Sequence, residues 1–353
     1  MPKKLSLKAV TLLLLVLVSS LPLPAASDDD AANGGKFDPT ETIMHHIADA
    51  HSFHIAGDLS LPLPVILWTE KGLVTFSSSE FHHDNQGKHL SQPHKGMRFL
   101  KYHNEIYRAG KDGTLEMDQE GHPVNQAPLD FSITKNVFTL FLAAFLLLTI
   151  FIPVAQGYKN RQVPKGLASF MEPLVLFVRD EIAQPNIGPK YVRYMPYLLT
   201  LFFFIWIINL IGLVPFFPFS ANLSGNISFT LTLAVVALLV VNFSGNKHYW
   251  KHILLPKPWW LAPILLPIEI LSNVVIKFFA LMIRLFANIT AGHIVVLSLV
   301  SLVFIFKSLA MSAVSVPFTL FIMVLELLVA ALQAFIFTLL TALFIGQAVE
   351  EAH

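Results

Sequence analysis

The sequence predicts an all-α membrane protein: five transmembrane helices plus an interfacial helix, with a long tilted helical hairpin at the C-terminal end and a small β-containing extramembrane N-terminal module. Three observations predict it. Hydrophobic residues make up 54% of the 353 positions and charged residues only 13%, about half the charged share of ordinary soluble domains. After residue 130 the apolar runs are long enough to cross a bilayer, which takes roughly 20 helical residues at 1.5 Å each. Finally, Arg284 lies in an apolar stretch, Phe278–Phe306, whose only other ionisable side chain is His293. An arginine near mid-bilayer costs roughly 3 kcal/mol or more, so its default reading is an ion-pathway residue.

The first element, residues 1–26, carries Lys3, Lys4 and Lys8, an apolar stretch Ala9–Leu21, then Pro22, Pro24, Ala25 and Ala26. This is the pattern of a signal peptide; as a retained anchor its apolar core is short for a span. Residues 27–130 form a polar, exported module with 10 of the 14 histidines. An acidic, disordered start at Asp28–Asp30 is expected there. Turn dipeptides Asp112-Gly113 and Glu120-Gly121, with alternating runs at Val65–Trp68, Leu73–Phe76, Phe99–Tyr102 and Glu105–Arg108, predict short strands.

Residues 131–353 read as the membrane domain. Val137–Ala155 is uncharged and forms the first span. Gln156–Arg193 then carries Lys159, Arg161, Lys165, Arg179, Lys190 and Arg193, the cation excess of a cytoplasmic loop, with Phe170–Val178 as the interfacial helix. Tyr194–Asn246 contains no Asp, Glu, Lys or Arg and is divided by Pro215, Pro218 and the polar run Ser220–Ser228, which predicts a helical hairpin. Its turn lacks cations, whereas the next loop holds Lys247, Lys251 and Lys257, so the turn faces outside and that loop inside. Pro267–Phe306 and Ser308–Val349 each exceed the length of a perpendicular span and must tilt or project. Five crossings put the N-terminal module outside and Glu350, Glu351 and His353 inside.

Several function classes fall away. A net charge of +1 without a basic run interleaved with aromatics gives no case for nucleic acid. Zero cysteines exclude disulfides, thiolate metal sites and a cysteine nucleophile. No G-x-S-x-G elbow, P-loop or H-E-x-x-H supports hydrolase or nucleotide chemistry, so this chain holds no catalytic nucleotide site. The histidine spacings match no zinc template, which favours a solvated polar surface; no metal and no cofactor is expected.

The polar residues of the last two segments can be tested as a hairpin. In antiparallel helices, residues at equal depth have a constant sum of residue numbers. Arg284 with Gln333 and His293 with Glu326 give nearly the same sum, and the implied turn falls near 308–310, beside Lys307. Arg284 and Asn288 share a face at i, i+4, while His293 lies about 180° around the helix from Arg284. Arg284, Asn288 and Gln333 form one expected layer, and His293 with Glu326 a second, roughly 10 to 14 Å nearer the outside. A group of unperturbed pKa about 6.5 beside a carboxylate suits proton transfer along an aqueous path. The bland alternatives are an arginine satisfied by backbone carbonyls, a histidine bonded to a neighbouring backbone, and a glutamic acid held neutral by burial.

The run Arg284-Leu285-Phe286-Ala287-Asn288-Ile289-Thr290-Ala291-Gly292-His293 resembles the R-L-F-A-N-x-x-A-G-H signature of the subunit a family of F-type ATP synthases. Leu332–Phe337 resembles that family's second signature, and Asn209–Pro215 with Asn226–Ser228 its hairpin. The resemblance covers roughly Thr134–His353. It implies the proton-conducting stator of the Fo sector in a bacterial inner membrane, with a periplasmic N-terminal module and a cytoplasmic C-terminus. Implied partners are the c-subunit ring, the b subunits of the peripheral stalk and the remaining Fo and F1 subunits. Arg284 matches the essential arginine, Asn288 and Gln333 its polar flanks, and His293 and Glu326 the pair lining the outer half-channel. The N-terminal module departs from the common pattern. Competing classes are an independent secondary transporter or ion channel, with Arg284 binding an anionic substrate, and a membrane-anchored binding module built on the histidine-rich region.

Overall fold

A computed structural model describes residues 48–56, 59–82, 84–110, 112–120, 122–160, 166–214, 221–254, 259–306 and 309–350. The expected signal peptide, Asp28–Asp30, His45-His46, His83, Gly121, Lys307 and Ser308 lie outside the described residues. The chain divides into two compact units, one holding the described residues up to Phe141 together with Ala221 and the other Leu142–Val214 and Asn222 onward.

In the first unit each alternating run becomes a strand. β1 (Ser52–Ala56) pairs antiparallel with β2 (Leu59–Pro62). β3 (Pro64–Thr69) pairs with β4 (Gly72–Ser77) and is edged by β8 (Leu129–Asp130), while β5 (Gln86–Leu90), β6 (Phe99–Tyr102) and β7 (Glu105–Arg108) form a separate three-stranded sheet. Alternation sends Val65, Leu67, Val74 and Phe76 inward, where they meet Phe81, Met97, Phe99 and Ile106 in one core. Between β6 and β7 both turn residues, His103 and Asn104, are left-handed (φ 47° and 64°). Two such residues make the type I′ turn whose twist matches that of the flanking strands.

β8 leads through Ser132 into α1 (Lys135–Asn160). The first amides of a helix lack intrahelical acceptors. Here the Lys135 N–H donates to Ala50 O (2.8 Å) and the Asn136 N–H to Asp49 Oδ1 (3.1 Å).

The second unit is helical. α2 (Leu167–Phe177) continues through a π-helical turn Val178–Ala183, α3 (Gln184–Ile187) and a 3-10 turn into α4 (Tyr191–Leu213). Then follow α5 (Ile227–Ser244), α6 (Lys247–Leu254), α7 (Ala262–Ile270), a π-helical turn Leu271–Ile276, α8 (Lys277–Phe306) and α9 (Leu309–Val349). Among the described residues, five helical segments are long and apolar enough to cross a membrane: Lys135–Tyr158, Leu167–Leu213, Ile227–Ser244, Pro263–Val303 and Met311–Val349. The protein is a multi-pass, mostly helical membrane protein with small N-terminal sheets.

Lipid tails give no hydrophobic drive between helices, so contact depends on close approach through small residues. Ala234 and Ala237 on α5, and Ala330, Ala334, Ala342 and Ala348 on α9, are all buried. Gly346 on α9 lies against the Asn186 carbonyl, leaving no room for a Cβ. α5 starts on an N-cap, the Asn226 side chain accepting from the Ser228 and Phe229 amides. α8 and α9 pack together, and near their junction the Ser315 hydroxyl donates to Leu299 O.

Candidate functional site

α8 presents two unlike faces. Leu281, Met282, Leu285 and Ile289 are buried, while Phe279, Ile283, Ala287 and Ala291 are exposed at helical spacing together with Arg284 and Asn288. Arg284 makes no hydrogen bond or ion pair among the described residues, so its guanidinium stands on the open face of the helix. Asn288 follows one turn later on the same face.

Nine residues beyond Arg284, His293 turns the other way. Its Nδ1 is 3.2 Å from Ile289 O and its Nε2 3.1 Å from Gly212 O at the end of α4. Both carbonyls only accept, so a neutral ring can donate to one of them and a protonated ring to both. Glu326 Oε1 on α9 is 3.8 Å from Nδ1, with side-chain exposures of 19% for His293 and 13% for Glu326. That oxygen is buried without a hydrogen-bond partner. The two helices meet closely here because Gly292 faces the Glu326 carboxylate, and any side chain at 292 would occupy its place.

A small pocket of about 10 Å³, room for about one water, lies among Asn209, Leu213, Asn288, Ile289, His293, Glu326 and Val329. Asn209 Nδ2 donates to Ala330 O (3.2 Å), while its Oδ1 is buried and unbonded. The pocket therefore gathers an imidazole, a carboxylate and two carboxamides, with unused hydrogen-bonding capacity on Asn209 and Glu326. A cavity lined this way suits water or a proton in transit rather than an apolar ligand.

The structure thus brings His293, Glu326 and Asn288 to one pocket and places Arg284 one turn from Asn288. Gln333 lies seven residues after Glu326 on α9 and is buried, at 4% exposure. No hydrogen bond joins it to Arg284 among the described residues. Sequence reasoning met Asn209 only inside the hairpin motif and did not give it a place beside His293; an asparagine within an apolar helix was the available signal. It also passed over Glu269, Asn273 and Lys277, spaced at i, i+4, i+8 before Arg284. Asn273 Nδ2 donates to Glu269 Oε2 (3.0 Å), and Lys277 Nζ donates to Gln347 Oε1 on α9 (2.9 Å). Among the described residues no group of three or more His, Asp or Glu is arranged to hold a metal. In the module, His94 pairs with Glu80 at 2.9 Å and His51 with Asp130 at 3.1 Å, while the exposed His122 lies 3.7 Å from Asp118 and 3.9 Å from Glu120.

Residues 137–346 match the family model described as ATP synthase A chain, more than half of the chain. The chain belongs to the ATP synthase A chain family. Residues 42–131 separately match a family described as a domain of unknown function (DUF8433). Within the ATP synthase A chain family, the chain is 48% identical over 231 residues to ATP synthase subunit a 2 of Chlorobaculum tepidum, covering 63% of this chain and 64% of that protein. It is 48% identical over 234 residues to the Prosthecochloris aestuarii subunit a 2, covering 64% and 71%. It is also 44% identical over 273 residues to subunit a of Myxococcus xanthus, covering 75% and 88%.

Proposed function

We propose that this member of the ATP synthase A chain family is the proton-conducting stator of an F-type ATP synthase. It would form the two half-channels that load and unload protons on the carboxylates of a c-subunit ring, in contact also with the b subunits and the rest of Fo and F1. The observation that carries this reading is the pocket in which His293, Glu326, Asn209 and Asn288 converge, one helical turn from the open-faced Arg284.

In this reading the ring runs along the exposed face of α8. A guanidinium stays charged at any physiological pH, so a ring carboxylate arriving opposite Arg284 is driven to ionise. At about 4 Å and an effective dielectric near 20 the attraction is on the order of 4 kcal/mol, enough to discharge the proton yet weak enough for rotation to break. Ionised sites cannot face lipid, whereas protonated ones can. Each charge crossing 100 mV releases about 2.3 kcal/mol, which supplies the drive. The His293–Glu326 pocket serves as the outer access route, Gln333 flanks the arginine from α9, and the Glu269–Asn273–Lys277 ladder marks the inner route.

The same reading sets the topology. Residues 1–26 act as a signal peptide, 27–130 form a periplasmic module, and 131–353 form the membrane domain of a bacterial inner-membrane protein with a cytoplasmic C-terminus. The lysine-rich loop carrying Lys247 and Lys251 supports that orientation. α2 carries the interfacial segment, and the α8–α9 hairpin, with helices of 30 and 41 residues, crosses with a strong tilt.

The test is ATP-driven acidification of membrane vesicles carrying the complex with Arg284 or Arg284→Ala, with immunoblotting for the assembled ring. Loss of pumping with normal assembly is expected. Intact coupling in the variant sinks the proposal.

A further inference from the structure

The sheet β4–β3–β8 has one face in the module core and one face open. On the open face, cross-strand pairing sets out three rows. Leu73, Trp68 and Leu129 stand in register across the three strands. Thr75 pairs with Ile66, and the Phe131 N–H donates to Ile66 O (2.8 Å), which puts Phe131 beside it. Ser77 pairs with Pro64, and the Ile133 N–H donates to Pro64 O (3.1 Å). None of these positions carries a charge. Four of their large side chains are open: Trp68 at 56% exposure, Leu73 at 48%, Leu129 at 65% and Phe131 at 64%. A charge-free aromatic and aliphatic face of this kind marks an interaction surface.

What covers it follows from where the strand goes. The rows step from Leu129 to Phe131 to Ile133 and end at Lys135, the first residue of an apolar span. The opening turns of α1, up to Phe141, belong to the same compact unit as the sheet. Within that unit they are tied to the β1 segment by the Lys135 N–H bond to Ala50 O and by the Phe138 ring, packed edge-on to Phe53 at 5.3 Å. Phe131 precedes Lys135 by four residues, at most roughly 13 Å of extended chain. The headgroup layer on each side of the hydrocarbon is itself about 5 to 7 Å thick. A strand laid along the surface would put Phe131, and behind it Trp68, in the layer where aromatic rings are enriched.

We infer that the open face of the β4–β3–β8 sheet rests on the lipid surface of the leaflet that α1 enters, holding the module down on the membrane instead of leaving it free in solution. Buried apolar side chains supply the attachment in the manner of an interfacial element. This goes beyond proton conduction and rests only on α1 being a membrane span.

The chain has no cysteine, so single labelling sites can be placed at will. The full chain is reconstituted in phospholipid vesicles with a nitroxide at Phe131→Cys and, separately, at Thr75→Cys, a small exposed residue whose replacement leaves the core intact. Control sites are Glu120→Cys, whose side chain is 83% exposed, and Phe145→Cys on the outer surface of α1. Collisions with oxygen, which partitions into lipid, are compared with collisions with a water-soluble nickel chelate. Labels at 75 and 131 are expected to favour oxygen several-fold, as at 145, with the reverse at 120. Nickel access at 75 and 131 equal to that at 120 overturns the proposal, since the face is then solvated. Shielding from both reagents also overturns it, because a protein partner then covers the face. If 145 itself fails to favour oxygen, the span reading of α1 falls and the lipid-facing sheet with it.

Discussion

Gly292 determines whether Glu326 can reach His293, because the carboxylate occupies the space a side chain at 292 would fill. Gly292→Ala is expected to push the carboxylate away from the ring while leaving α8 intact, since alanine is the better helix former. ATP-driven acidification should fall about tenfold or more with the complex still assembled, a loss of the size usual for a displaced proton-transfer group; an unchanged rate would show that the contact is dispensable. A second residue-scale prediction concerns Asp130 in the module. Burial works to raise its carboxyl, but the His51 ring and the Ser132 hydroxyl and amide outweigh it and hold the group below its ordinary value of 3.8. A group depressed in the folded state adds stability that is complete above the ordinary carboxylate value and is lost as pH falls through the lowered one. Asp130→Asn should therefore cost about 1 kcal/mol near neutral pH, discounted for partial exposure, and flatten the acid limb. Amide exchange in β3 and β4 of the membrane-embedded chain, followed from pH 7 downward, reads both effects.

Among the elements, α9 makes close contacts along its length. Gly346 touches the Asn186 carbonyl, and the buried alanines along the same helix set its distance from its neighbours. Gly346→Val should overpack this seam at a cost of about 1 to 3 kcal/mol. Less of the chain should then survive detergent extraction at elevated temperature, while Leu343→Val, at an exposed position of the same helix, should behave like the parent; equal thermal loss in both would mean the seam has slack. The five apolar spans were legible in the sequence, because long uncharged runs mark them directly; that Phe170–Val178 runs on helically to Leu213 was not. The strand pairs were legible too, from alternation at Val65–Trp68 and Leu73–Phe76. The third strand of that sheet, β8, was not, since two residues are too few to display a period.

For the molecule as a whole, the proposed stator role and an independent transporter make opposite demands. A stator has no carriers of its own to complete the path, so the purified chain in vesicles should pass no protons under an imposed potential until the c-subunit ring is added. Flux by the chain alone, abolished by Arg284→Ala, would favour the transporter instead. The open face of α8, with Arg284 and Asn288 among small and apolar residues, is what the stator reading requires of a surface swept by a ring.

By itself the sequence determined which stretches are helical spans and where the short N-terminal strands lie, because hydropathy and alternation depend only on local order along the chain. It also singled out Arg284, since a lone guanidinium in an apolar run is costly wherever the helix packs. The pairing of His293 with Glu326 was within reach of antiparallel counting. That His293 also meets the Gly212 carbonyl, and that Asn209 enters the same pocket, was decided only by tertiary structure. Those contacts join α4 to the α8–α9 pair across 81 residues or more of intervening chain, and no periodicity in one segment records how a third helix is rotated against two others.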